Sequence, residues 1–113
     1  MGVVRCKDGV KFLEIAPGGF RILSAIDQIA ASMSCDVTIT SACDGVHSGT
    51  GDPHYSGNAY DIRTRDLPDA QVFLKKLQEL LGSAFFAFIE DPGTDNEHIH
   101  VQVRRGTVFP ATG

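Results

Sequence analysis

The segment Glu97-His98-Ile99-His100 puts a carboxylate and two imidazoles within one short stretch of chain. From His98 to Val103 the residues alternate, with His98, His100 and Gln102 on one face of a strand and Ile99, Val101 and Val103 on the other. The apolar set belongs against a core. The two histidines then project together from the opposite face, about 7 Å apart along the strand. Ala59 to Arg63 repeats the pattern: if Tyr60 and Ile62 face the core, Asp61 faces the histidines. His54 precedes Asp61 in a tight segment, and Gly57 permits a turn that brings it back beside Asp61. His54, Asp61 and His100 make a zinc-binding set, and three protein ligands leave a fourth tetrahedral position for water, the arrangement of a catalytic site. Water held there is acidified toward neutrality and becomes a nucleophile. Strand parity would turn Glu97 away from His100, so it must sit at the strand's entrance. From there it could take a proton from that water and pass it to a leaving amine. His98 stands next to the metal without needing to bind it, with donation to a developing oxyanion as its natural role. His47, in the same loop as His54, could line the cleft. Ser48 and Ser56 lie near histidines, but no nucleophile-elbow sequence surrounds them.

These residues need a scaffold. Lys11 to Ile15 reads as a short strand stopped by Pro17-Gly18-Gly19. A helix is expected from Phe20, with Ile22, Leu23, Ile26, Ile29, Ala30 and Met33 on one face. Val37 to Thr40 is β-branched at every position and reads as a strand. Ser41 to Gly57 holds four glycines, a proline, two histidines and two aspartates. A loop that long in a small domain is usually functional. After the strand Ala59 to Arg63, Asp66 is the expected N-cap of a second helix with Pro68 in its first turn. Ala70, Phe73, Leu74, Leu77, Leu80 and Leu81 form its stripe, and Gly82 ends it. Phe85 to Ile89 is continuously apolar and reads as a central strand buried on both faces. Asp91 to Asp95 is a turn, so the strands around it should pair antiparallel. The expected fold is α+β: one small domain over 1–113, a mostly antiparallel sheet with helices on one face.

His54-x-x-Gly57-x-Ala59-x-Asp61, followed by Glu97-His98-Ile99-His100, resembles the zinc-site signature of the D-Ala-D-Ala carboxypeptidase family. That family groups with vancomycin-resistance-type dipeptidases, phage L-alanyl-D-glutamate endopeptidases and hedgehog signalling domains. The stretch Thr40-Ser41-Ala42-Cys43-Asp44-Gly45-Val46-His47 resembles the short phage-type members in particular. The resemblance covers about Val37 to Val103. It implies a hedgehog/DD-peptidase-like fold, zinc on His54, Asp61 and His100, Glu97 as base, and amides of peptidoglycan peptides as substrate. Two departures bear on specificity. Many relatives carry an arginine shortly after the Thr-Ser pair that holds the substrate's carboxylate, where this chain reads Cys43-Asp44-Gly45, and many carry a serine where it has Asp52. Arg63 and Arg65 are the candidates to supply the missing positive charge.

The remaining features bound the partners. The chain has 113 residues and a net charge of −4 without a basic patch, which argues against nucleic acid as a partner. No apolar run approaches a membrane span. Met1 to Cys6 is not a secretory signal, so synthesis in the cytoplasm is expected, with release or virion delivery needed to reach a cell wall. A monomer is expected. Cys6, Cys35 and Cys43 form neither a CxxC pair nor an even framework, and reduced thiols are expected. The competing readings are a catalytically inactive zinc-binding module and a structural virion component of the same fold.

Overall fold

A computed structural model describes residues 2–12, 15–42 and 58–104. Within them the strands are β1 (Val4–Cys6), β2 (Val37–Ser41), β3 (Ala59–Arg63), β4 (Phe85–Glu90) and β5 (His98–Val103). The helices are α1 (Pro17–Met33) and α2 (Ala70–Leu81). The five strands form one sheet in the order β1-β2-β3-β5-β4. Only β1–β2 is parallel; the other three pairings are antiparallel. The helices touch each other, with α1 against β3 and β5 and α2 against β4, so both cover the same face. This is the expected α+β architecture.

Period-two patterning decides what the sheet buries. Tyr60 and Ile62 of β3 and Ile99 and Val101 of β5 are fully buried beneath Ile22, Ile26 and Ile29 of α1 and Phe73 and Leu77 of α2. Removing such side chains from water is the main stabilising term of a domain this size. It also forces Asp61, Arg63, His98 and His100 onto the opposite face, because a one-residue slip of β3 or β5 would bury charge and expose the core set. The register pairs Asp61 with His100 and Arg63 with His98.

Four expectations are corrected. The first strand is Val4–Cys6, whereas Lys11, Phe12 and Ile15 lie outside the sheet. β1 is a three-residue edge strand, too short to show periodicity; it is fixed by the parallel ladder to β2 and by Asp36, which accepts from the Val3 amide and from Arg5. Phe12 instead stacks on Tyr60, with ring centroids 5.9 Å apart. Pro17 opens α1 rather than stopping a strand; its missing N–H is one that the first turn leaves unbonded anyway. Asp69, not Asp66, caps α2, its Oδ1 accepting from the Gln71 and Val72 amides at 3.1 Å. Asp66 faces Arg63 at 3.7 Å. β4 is an edge strand, with Phe86 and Phe88 on the open face 41% and 42% exposed. Its unbroken apolar run conceals an alternation, because those two phenylalanines pack against polar neighbours: Arg104 over Phe86 and His100 beside Phe88.

Gly82 ends α2 as expected, with φ at 81° and its amide bonded to the Gln78 carbonyl. Asp69→Ala should cost about 1 kcal/mol of stability in urea unfolding, the usual value of a lost N-cap. Asp66→Ala should stay within about 0.5 kcal/mol. Among the described residues no helix is long and apolar enough to cross a membrane. Cys6 is an exposed and Cys35 a buried free thiol, while Cys43 lies outside the described residues.

Candidate metal centre

Three strands bring the site together. β3 contributes Asp61, β5 contributes His98 and His100, and β4 contributes Glu90. The β3–β5 register sets Asp61 directly across from His100, and His100 Nδ1 lies 3.0 Å from Asp61 Oδ1. The other carboxylate oxygen, Oδ2, is 3.7 Å from Nε2 of His98. That same Nε2 is 2.8 Å from Oε1 of Glu90, its register partner on β4. Asp61, His98 and His100 are largely buried, and Glu90 is about half exposed.

The far side of each imidazole is also occupied. His98 Nδ1 donates to the Asn96 carbonyl at 2.7 Å. Gln102 donates its amide N–H to the Val103 carbonyl, which turns its Oε1 toward His100 Nε2 at 2.7 Å, so that this nitrogen too is a donor. Both rings therefore have both nitrogens facing acceptor oxygens. A neutral imidazole has only one N–H. The nitrogens aimed at Asp61 and Glu90 are placed to take either a second proton or a cation.

The electrostatics follow the same geometry. Burial disfavours charge on both rings. At His98 the Asn96 carbonyl, Asp61 and Glu90 outweigh it, and the pKa rises above the ordinary histidine value. At His100 burial is likewise outweighed, by Asp61 and Gln102 with Glu90 more distant. Protons and a metal thus compete for these nitrogens. Two pH effects are expected. Metal-free protein holds the stabilisation of these contacts in full below the unfolded-state value of about 6.5 and loses it as pH rises through the raised folded values. Affinity for a divalent cation changes in the opposite direction, increasing over that interval. Thermal melts with chelator, and with zinc, across this range check both signs.

The donor set fits a divalent metal: imidazole nitrogens and carboxylate oxygens, each imidazole oriented by a hydrogen bond on its far nitrogen, as metal-ligating histidines are. Asp61, Glu90 and His98 offer donor atoms all within 4.8 Å of one another, close enough for a shared ion. Of the expected ligands, Asp61 and His100 meet; His54 and the cleft residue His47 lie outside the described residues. Glu90 is an addition to the expected set. The apolar run of β4 ends at Ile89, yet Glu90 and His98 flank the 91–97 connection, and antiparallel pairing across it makes them partners. His98 stands beside the expected ligand Asp61, and its Nε2 is also directed at Glu90. Phe88 covers one side of His100, ring centroids 5.2 Å apart.

Beside Asp61 opens a cavity of about 600 Å³, also lined by His98, Glu97, Arg63, Arg65 and Lys7. Glu97 stands at the mouth of β5, its backbone held by the Thr94 carbonyl and the Thr64 hydroxyl. The expected base and both expected arginines therefore share one cleft with Asp61. No protein-family model, curated protein or solved structure matches the chain.

Proposed function

We propose that the chain is a zinc-dependent peptidase that hydrolyses amide bonds in peptidoglycan stem peptides, as a D-Ala-D-Ala carboxypeptidase or an L-Ala-D-Glu-type endopeptidase. The observation that carries this reading is the meeting of Asp61 and His100 at 3.0 Å beside a cleft that Glu97 also lines. The two-part motif, with His54 seven residues before Asp61 and Glu97 three before His100, supports the same assignment.

His54, Asp61 and His100 would hold the cation. A zinc ion bound there supplies Lewis acidity, bringing the pKa of water toward neutrality and polarising an amide carbonyl. Glu97 takes the proton of the attacking water and returns it to the leaving amine nitrogen. Arg63 and Arg65, on the wall of the same cleft, suit a substrate with free carboxylates, as stem peptides have. Arg63 spends part of its charge on Asp66, so the more exposed Arg65 is the freer to turn toward a ligand. Gln102 and Asn96 orient the two histidines, and Phe88 limits water at His100.

Zinc-loaded protein incubated with purified peptidoglycan should release products with new amine and carboxylate ends at one type of amide, identified by mass spectrometry. Muropeptides left intact would refute the reading.

A further inference from the structure

Asp61 presents its two oxygens to two different histidines. Oδ1 faces His100, and Oδ2 faces His98, which in turn contacts Glu90. His98 and His100 alternate with Ile99 on one strand, so their rings diverge along it and reach separate oxygens of one carboxylate. A carboxylate met in this way on both sides is suited to bridge two cations, which in two-metal sites lie about 3.5–4 Å apart.

We propose that the centre has two cation positions bridged by Asp61. The first is the position of the proposed peptidase, on which this inference rests for its occupant. The second is formed by Asp61 Oδ2, His98 Nε2 and Glu90 Oε1, and takes a first-row divalent cation such as zinc. Donors on a tetrahedral cation with bonds of about 2.0–2.2 Å lie roughly 3.4 Å from one another. The observed separations are 3.7 Å from His98 Nε2 to Asp61 Oδ2 and 2.8 Å from the same nitrogen to Glu90 Oε1. All three donor atoms lie within 4.8 Å of one another, so a cation draws the two carboxylates together, a movement that the half-exposed Glu90 can supply.

The hydrogen bond from His98 Nδ1 to the Asn96 carbonyl is the independent reason to read His98 as a ligand rather than as half of an ion pair. It fixes the tautomer so that in the neutral ring Nε2 carries a lone pair, aimed at two carboxylates. The imidazole donor argues for zinc, or cobalt or nickel in its place, over magnesium, calcium or manganese, which favour oxygen ligands.

The test is metal stoichiometry, independent of turnover. Protein stripped with chelator is titrated with Co²⁺, followed by its visible absorption, and with Zn²⁺ by calorimetry. Wild type should take up about two equivalents and Glu90→Gln about one. His98→Asn should behave like Glu90→Gln, with circular dichroism confirming that both variants fold. His100→Ala should lose the other equivalent. A wild type that binds a single cation overturns the second position, as do two equivalents that persist in both Glu90→Gln and His98→Asn. A single cation lost in His100→Ala but kept in Glu90→Gln overturns the second position while leaving the peptidase reading intact. No cation in wild type sinks both.

Discussion

Glu97→Gln lowers the rate of peptidoglycan amide hydrolysis by about 10²- to 10⁴-fold, the contribution expected of a positioned general base. The substituted amide would keep the size and most hydrogen bonding of the side chain but could accept no proton. The backbone at this position is held by Thr94 and Thr64 rather than by the carboxylate, so the fold should be unaffected. Glu97 is not one of the proposed metal ligands, so metal content should also be unchanged. That separation gives the variant its value. A peptidase loses turnover and keeps its metal. A catalytically silent binding module, or a virion component stabilised by its metal, shows no turnover in either form. An unchanged rate would exclude Glu97 as the base.

The second large effect is on stability. Zinc should stabilise wild type by about 2.7 kcal/mol when free metal stands 100-fold above its dissociation constant. For a domain of this size that raises the melting temperature by at least about 10 °C. Asp61 faces both histidines, so Asp61→Ala should remove the whole of the zinc effect. Without zinc the same substitution strips the His98 and His100 contacts of their shared counter-charge. The raised pKa of each histidine should then fall, and metal-free stability should become less dependent on pH. A zinc-induced shift in Asp61→Ala equal to that of wild type would place the metal elsewhere.

Strand parity carries most of what the sequence reveals. Tyr60 and Ile62 against Asp61, and Ile99 and Val101 against His98 and His100, define the buried and open faces of β3 and β5 without ambiguity. Parity places Asp61 and His100 on one face, and the β3–β5 register, which parity alone does not give, makes them meet. Local capping is harder to read. Asp66 and Asp69 are both plausible N-caps, and Pro68 favours the wrong one; only the bonds from Gln71 and Val72 distinguish them. β1 escapes a reading by pattern because three edge residues cannot show a period. β4 looks central because Phe86 and Phe88 are apolar yet lie on the open face, where Arg104 and His100 give them company that no periodicity reveals. Glu90 is lost with it, since only one more residue in that strand sets it opposite His98.

The most direct test is a crystal structure of the zinc-loaded protein, with anomalous diffraction measured at the zinc edge. A peak bonded to His54, Asp61 and His100 at about 2.0–2.2 Å is the predicted result. Density showing Asp61 and His100 still joined by a direct hydrogen bond, with no zinc between them or with zinc only at a distant surface, would contradict it.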